Sequence, residues 1–448
     1  MKQQKLIEGP IFSSMSLFAI PLLLGNLLQQ LYNIVDTWIV GRYLGAEALA
    51  SVGASFSLLV FLTSVLIGLC MGSGVVFSHD YGRSAFSQLE RRIGTAFLGI
   101  AGVTVCITAL SLLFLPQILN LLQIPLELQQ MTAEYLKLVL PGIPAVFVYN
   151  FFAGYLKALG NSVLPLLILA LSTLTNIGLD FLFVLFLRMG IRGAALATIT
   201  AQYEAGLLVL LYCFLKDSHI RHAVSKVQLL RSDLQILGRY SLYTCLQQSV
   251  MNLGILMVQG IVNSFGVTVM AAFSAGVKID AFAYMPAQEY GNAFSTFIAQ
   301  NHGANRPDRV KKGMRTGFLT GIVYCLLASL VLCVFAPSLM RIFLDAGEAE
   351  AIAIGTGYLR IEGAFYAGIG ILFLWYGLFR AIGQPQVSLI LTIISLGTRV
   401  LLAVLAASSS IGYIGIWCAI PIGWGLADLA GLLFCLRGPL RKKHRNHL

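Results

Sequence analysis

The sequence predicts an all-α integral membrane protein with twelve transmembrane helices in two six-helix bundles. Three observations support this prediction. The 448 residues are 58% hydrophobic and only 11% charged, apolar runs of about 20 residues recur along the chain, and matching motifs recur half a chain apart. A soluble domain carries roughly 25% charged residues, so a fold surrounded by water is excluded.

The apolar runs are long enough to cross about 30 Å of hydrocarbon as helices. Helices are expected because backbone groups in lipid must form their hydrogen bonds internally, and the alternating pattern of a membrane barrel is absent from the sequence. The polar start, MKQQKLIEGPIFSS, does not read as a signal peptide, so the first span is expected to be retained. The predicted spans are 14–38, 48–74, 92–115, 130–156, 163–187, 193–215, 240–264, 268–298, 314–336, 352–377, 387–407 and 413–435.

Basic residues are concentrated in one set of the loops between these spans. The net charge is +11, and with a cytoplasmic N-terminus the outer loops hold only Arg42, Arg188, Arg192 and Arg341. Such an asymmetry follows the positive-inside rule. It predicts a multi-pass protein of the cell membrane with both termini in the cytoplasm, and the tail RKKHRNHL is an orientation signal beside the lipid bilayer. Nucleic acid is not an expected partner.

Three pairs of motifs indicate a tandem repeat. LKALGNSVLP matches LFRAIGQPQV, SHDYGRSAFSQLERR matches AQNHGANRPDRVKK, and GIRGAALAT matches GYIGIWCAI, at offsets of 223, 221 and 222 residues. Each half has an even number of spans, so both halves run in the same direction, as in parallel repeats that rock around a central cavity. We predict an N-terminal six-helix lobe (1–215), a cytoplasmic linker (216–239), and a C-terminal six-helix lobe with a basic cytoplasmic tail (240–448).

Polar residues occur at similar depth in the outer halves of spans one, five and six. Asp36 lies in span one, Asp180 lies in span five one turn after Asn176, and Thr198 begins span six. Ionisable residues inside spans are costly and mark functional sites. Two adjacent carboxylates need a cation or a shared proton between them, and asparagine and threonine oxygens suit sodium. The structural alternative is a pair of hydrogen bonds between helices. The repeat places Gly254 opposite Asp36, so only the N-terminal half is expected to carry this site.

The C-terminal half has charged residues of its own. Lys278 and Asp280 lie in span eight, Glu362 lies in span ten and Arg399 lies in span eleven. Residues two apart on a helix do not face each other, so Arg399 is the expected partner of Asp280 or Glu362. A structural ion-pair network and a role in substrate binding both remain open, and Asp428 in span twelve is a weaker candidate.

Span one also contains Pro21, fifteen residues before Asp36. A proline inside a helix removes one backbone hydrogen bond and favours a kink. A bendable helix that carries a titratable group could couple protonation to shape, and a static kink is the alternative.

Taken together, these residues resemble the multidrug and toxic compound extrusion (MATE) family. The resemblance covers nearly the whole chain and rests on Pro21, Asp36 and Gly41 with the motifs LKALGNSVLP, NIGLD, GIRGAALAT and QNHGANRPDRVKKG. It implies a V-shaped pair of six-helix bundles that exports amphipathic, often cationic organic compounds in exchange for Na⁺ or H⁺. No cofactor is implied, and no metal other than sodium at Asp36 and Asp180.

The resemblance also implies which residues bind the coupling ion. The family's N-lobe site combines an aspartate of span one, an asparagine and an aspartate of span five, and a threonine of span six. A tyrosine of span four and the proline of span one lie nearby in some members. These positions match Asp36, Asn176, Asp180, Thr198, Tyr135 and Pro21. One branch has a second site with a glutamate in span seven, but 240–264 contains no acid, so the chain resembles the branch driven from the N-lobe.

Other functions are weighed by the same residues. A flippase for lipid-linked oligosaccharides or lipids, of related architecture, is the alternative, and several arginines facing a central cavity would favour it. An enzyme is not expected, because the sequence contains no HExxH motif and no nucleophile elbow. A monomer is expected.

Overall fold

The computed structural model describes residues 6–225, 228–345 and 347–437, and within them it is helical without strands. The basic tail lies outside the described residues. The helices are α1 (Ile11–Leu44), α2 (Ala46–Gly82), α3 (Phe86–Leu113), α4 (Leu115–Leu121), α5 (Leu126–Val139), α6 (Ile143–Ala158), α7 (Val163–Asp180), α8 (Ile191–Lys216), α9 (Ser218–Ser225), α10 (Arg231–Asn263), α11 (Val267–Gly303), α12 (Pro307–Met340), α13 (Ala349–Ala364), α14 (Tyr366–Ala381), α15 (Pro385–Ala407) and α16 (Tyr413–Arg437).

These helices confirm the predicted number of spans. Among the described residues, eleven helical segments are long and apolar enough to cross a membrane, and α13 with α14 makes a twelfth that is bent by 53°. The bend falls at Phe365, the single residue between the two helices. The fourth span, Leu126–Ala158, joins α5 and α6 through a 3₁₀ turn at Leu140–Gly142. The chain is therefore an all-α multi-pass membrane protein.

The backbone repeats together with the sequence. Four pairs of residues with positive φ recur at offsets of 221 to 223 residues, and the two φ values of each pair agree within a few degrees. A left-handed backbone is costly for residues that carry a Cβ, which explains why three of the pairs are glycines. The pairs are Gly45 and Gly266 (89° and 92°), Ser84 and Asn305 (57° and 53°), Gly160 and Gly383 (90° and 89°), and Gly190 and Gly412 (62° and 60°). This agreement confirms the tandem repeat.

The helices form two compact units. The N-terminal unit contains Ile20–Cys245, and the C-terminal unit contains Leu6–Ala19 with the described residues from Leu246 onward. Consequently α1 begins in the C-terminal unit and continues in the N-terminal unit, whereas α10 does the reverse. Of the predicted linker, α9 and the first residues of α10 belong to the N-terminal unit, and residues 226 and 227 lie outside the described part.

Buried ion pairs fix the beginning of α10 to the N-terminal unit. Asp233 is 2.5 Å from Nε of Arg91 and 2.9 Å from Nε of Arg92, and Arg92 also pairs with Asp80 at 2.6 Å. Both aspartates are almost completely buried. Buried pairs are costly to break by removing one partner, so the start of α10 is held firmly.

Guanidinium groups of the C-terminal unit hold the segment that precedes α1. Arg309 donates to the carbonyl oxygens of Leu6 (3.1 Å) and Gly9 (2.9 Å), and Arg306 donates to that of Ile7 (2.7 Å). Hydrogen bonds with a charged donor are stronger than neutral ones. The first helix of each repeat therefore begins at an anchored end.

Two glycines allow α2 and α10 to cross closely within the N-terminal unit. A Cβ on Gly68 would lie 2.6 Å from Cα of Cys245, and a Cβ on Gly72 would lie 2.5 Å from Cα of Ser241. Small residues four apart let helix backbones approach each other in membranes. The hydroxyl of Ser241 donates to the carbonyl of Leu69 at 3.0 Å, which adds a bond that only a close crossing permits.

We predict that Gly72→Leu lowers the thermal stability of the protein. Its side chain would meet backbone atoms, which cannot move aside, and overpacking of this kind costs about 1–3 kcal/mol. Gly53→Leu on the same helix is the matched control, since a Cβ there meets nothing within 4 Å. Melting temperatures of the detergent-purified variants measure the effect. Equal melting of the two variants would contradict the close crossing.

Candidate functional site

Asp36 of α1 and Asp180 of α7 lie side by side within the N-terminal unit. The side chains are 9% and 0% exposed, and their carboxyl groups approach within hydrogen-bonding range of each other. Within the described residues, no group donates a hydrogen bond to either oxygen of Asp180 or to Oδ1 of Asp36. Two acceptors therefore face each other without a protein donor between them.

A local change of helix geometry positions Asp180. The α-helical hydrogen bonding of α7 ends at this residue, and the chain continues as a π-helical segment, Phe181–Phe186. Such segments are rare and often occur at functional sites. Gly193 at the start of α8 lets this segment pack tightly, because a Cβ there would lie 3.1 Å from the carbonyl carbon of Phe183. The end of α7 that carries the carboxyl group is thus fixed against α8.

Asn176 and Thr198 add oxygen atoms to the site. Asn176 precedes Asp180 by one turn and is 1% exposed, and neither atom of its amide group has a partner among the described residues. Thr198 of α8 donates its hydroxyl to the carbonyl of Ala194 at 3.0 Å and accepts a hydrogen bond from Tyr32 at 3.4 Å. One lone pair of the Thr198 hydroxyl therefore remains.

Two tyrosines complete the cluster. Tyr135 of α5 lies within electrostatic range of Asp36, Asp180 and Thr198, as the sequence led us to expect. Tyr32 occupies the same position in the cluster from α1. The sequence argument missed this role of Tyr32, although its place one turn before Asp36 is a signal that could have found it.

Apolar side chains surround these polar groups. The buried cluster at the site contains Tyr135 together with Val40, Val52, Val184 and Ala194, and parts of α2 and α8 contribute to it. Electrostatic interactions are stronger in such surroundings than in water. An arrangement of this kind can hold one proton between the two carboxyl groups, or a small hard cation that prefers oxygen ligands.

α1 continues without a break through Pro21, which is buried. The proline lies two residues after Ala19, where α1 leaves the C-terminal unit. The missing backbone donor of Pro21 therefore lies beside the change of unit.

Three charged residues of the C-terminal unit come together. Asp280 of α11 and Glu362 of α13 are buried, and Arg399 of α15 lies within electrostatic range of both. The hydroxyls of Tyr366 and Tyr358 donate to Asp280 and Glu362 respectively. Among the described residues, Nε of Arg399 and Oε2 of Glu362 have no hydrogen-bond partner.

Lys278 lies apart from this cluster. Its Nζ is 6.0 Å from the ring centroid of Phe343, and Asp280 is influenced by Glu362 and Arg399 instead. The separation agrees with the expectation that residues two apart on a helix face different ways.

Comparison with known proteins agrees with this architecture. YpnP and YoeA of Bacillus subtilis, both described as probable multidrug resistance proteins, are 29% and 28% identical to the chain. The first alignment covers 88% of each chain, and the second covers 95% of this chain and 94% of YoeA. A MATE structure in a bent conformation matches with a TM-score of 0.92 and 23% identity over 99% of both chains.

A transporter of the MOP superfamily from Pyrococcus furiosus matches with a TM-score of 0.90 and 23% identity over 97% of both chains. The MatE family model matches residues 21–182 and 242–405, once in each half of the repeat. These two matches cover most of the chain, and the chain therefore belongs to the MatE family.

Proposed function

We propose that this MatE-family chain is a secondary active transporter that exports amphipathic, often cationic organic compounds in antiport with Na⁺ or H⁺. The single observation that carries the proposal is the buried Asp36–Asp180 pair, whose carboxyl groups receive no hydrogen bond from described residues. The relatives described as multidrug resistance proteins support the substrate class. None of the comparisons favours a lipid flippase.

In the proposed mechanism, the coupling ion enters while the transporter is open outward. A proton or cation between Asp36 and Asp180 removes the repulsion of the two carboxylates. Because the ion binds the two access states with different free energies, it shifts their balance towards release of the drug and return inward. A membrane potential of 100 mV adds about 2.3 kcal/mol for each charge that moves.

Sodium and protons would use the cluster differently. A proton needs only the two carboxyl groups, whereas sodium would also take the amide oxygen of Asn176 and the hydroxyl of Thr198 as ligands. Tyr135 and Tyr32 flank the pair in either case and limit the access of water.

We expect Asp36→Asn to abolish gradient-driven export. The amide keeps the shape of the side chain but removes the charge that makes ion entry favourable. Everted membrane vesicles that export a fluorescent organic cation, under separate sodium and proton gradients, measure the effect and identify the driving ion. The exposed Asp308→Asn, on the first turn of α12, is the control with the same chemical change and should export normally. Wild-type rates in Asp36→Asn vesicles would refute the assigned role.

We further propose that Pro21 is the flexible point at which ion binding bends α1. The segment before it is held by Arg306 and Arg309 in the C-terminal unit, and the segment after it carries Asp36 in the N-terminal unit. A change in the relation of the two ends must be absorbed within α1, and Pro21 has already lost one helical hydrogen bond.

Pro21→Ala should therefore slow export several-fold while the coupling ion still binds. Restoring a backbone donor stiffens α1 without altering the carboxyl groups. Ion binding is measured as the shift in melting temperature on adding sodium or on changing pH. Pro337→Ala, at the other end of the chain's helix α12, is the control for loss of a helical proline. Loss of ion binding and export together in Pro21→Ala would argue for a purely structural role.

For the C-terminal unit, we propose that Asp280, Glu362 and Arg399 stabilise the fold. The two acids are buried with one guanidinium group near both of them, and each accepts a hydrogen bond from a tyrosine. We assign no transport role to Lys278, which lies apart from them.

Arg399→Met should destabilise the protein by about 3 kcal/mol, because removing one partner leaves buried charge uncompensated. Arg399→Lys keeps the charge and should melt close to wild type. Adding Glu362→Gln to Arg399→Met should restore part of the loss, since it removes one of the two uncompensated carboxylates. Additive losses in this cycle of detergent melting temperatures would show that the residues do not interact.

We also propose that the protein is a monomer of the cell membrane with both termini in the cytoplasm. The distribution of basic residues in the sequence supports this orientation.

A further inference from the structure

A groove of about 630 Å³ opens on the surface of the C-terminal unit between α12, α14 and α16. This volume lies within the usual range of small-molecule sites, roughly 300–1,000 Å³. The wall formed by α16 is apolar, and its side chains at Ile422, Leu426 and Leu429 are 45–60% exposed. The surface around the groove therefore suits the hydrocarbon of a bilayer rather than water.

Two polar groups in this groove have no protein partner. Asp428 of α16 lines it, and the carboxyl Oδ1 is buried without a hydrogen bond from any described residue. Trp375 of α14 also lines it, is 7% exposed, and has an indole N–H without an acceptor among the described residues. A lone carboxyl group in a membrane span is expensive and marks a functional site by default.

Aromatic rings stand beside this carboxyl group. The rings of Phe318 and Trp375 have centroids 4.7 Å apart at an angle of 61°, and Trp375 stacks on Phe379 at 5.8 Å. Tryptophan is the aromatic side chain that attracts cations most strongly. A carboxylate together with the face or edge of two aromatic rings suits an organic cation with apolar substituents.

The groove lies in the half of the membrane that faces the cytoplasm in the predicted orientation. Asp428 precedes Arg437, the last residue of α16, by nine residues, which corresponds to roughly 14 Å along a helix. Trp375 lies six residues before Ala381 at the end of α14. Amphipathic compounds that have entered the cell collect in this leaflet of the bilayer.

We propose that the groove at Asp428 and Trp375 binds lipophilic organic cations from the inner leaflet. Asp428 supplies the opposite charge, and Trp375 and Phe318 contact the apolar substituents. The inference deepens the proposed export function, because it adds a site at which the exported compound is first held. It is separate from the ion site, since Asp36 and Asp180 belong to the other unit.

The composition of the groove favours a cation over a phospholipid. A phospholipid headgroup would need a basic partner for its phosphate, and the residues that line the groove include Asp428 but no lysine or arginine. A negatively charged headgroup beside an unpaired carboxylate is repelled. An acyl chain alone could fill the space, but it would leave Asp428 and the indole N–H without partners.

The test uses tetraphenylphosphonium and the full chain in lipid nanodiscs without any ion gradient. The Asp36→Asn variant serves as background, so that binding at the ion site does not contribute. In this background, adding Asp428→Asn should weaken binding by at least about tenfold, as expected on removing one partner of a buried charge pair. Asp428→Glu should keep most of the affinity. Tetraphenylborate, which has the same shape and the opposite charge, should not bind.

A second variant tests the position of the site without touching its charge. A Cβ on Gly425, which lines the groove, meets nothing within 4 Å, so Gly425→Leu should fill the groove and leave the fold intact. Tetraphenylphosphonium binding should fall as it does in Asp428→Asn, while the melting temperature stays near that of wild type. Gly102→Leu on α3, which also meets open space, is the matched control and should bind normally.

Unchanged affinity in both Asp428→Asn and Gly425→Leu would overturn the proposal. Equal binding of tetraphenylborate and tetraphenylphosphonium would also overturn it, because the groove would then be an apolar surface covered by any lipid. These measurements need no transport, so they are distinct from the vesicle experiment. Export without binding at Asp428 would reject only the groove, and binding at Asp428 without export would reject only the antiport function.

Discussion

The apposition of Asp36 and Asp180 is the constraint on which the N-terminal unit depends. Two buried carboxyl groups without a protein donor are unfavourable alone, so the fold has to hold their helices together against that cost. The π-helical segment after Asp180 and its contact with Gly193 do so from one side, and apolar packing does so from the others. The cost is removed only when an ion or proton is present, and for that reason the pair can register ion binding as a change of free energy.

The repeat explains why this constraint acts in one unit only. The two halves share helix order and left-handed turns, but the acidic pair of the first half has no copy in the second. The anchors at the helix beginnings differ in the same way: buried ion pairs hold the start of α10, whereas Arg309 holds the start of α1 through backbone carbonyls. Because α1 is fixed at its beginning in one unit and carries Asp36 in the other, an event at the carboxyl pair reaches both units through a single helix.

Much of the fold could be predicted from the sequence, because membrane helices are long, apolar and flanked by basic loops. The repeat was visible through glycines that a left-handed backbone requires, such as Gly160 and Gly383. Proximity was predictable where depth and helix face sufficed, as for Asp36 and Asp180. The bend at Phe365 was not predicted, since the sequence argument treated 352–377 as one continuous span. The place of Trp375 beside Asp428 depends on packing between helices, which no periodicity reveals.

The carboxyl groups of the two units make different demands on a cation. At Asp36 and Asp180 the available ligands are oxygen atoms enclosed by α1, α5, α7 and α8, and only a proton or a small ion fits between carboxyl groups already within hydrogen-bonding range. At Asp428 the carboxyl group stands at the base of a wide, aromatic groove. A bulky cation cannot enter the first site, and a strongly hydrated ion gains too few ligands in the second to leave water. The same functional group can therefore serve the driving ion in one unit and the exported compound in the other, without competition between them.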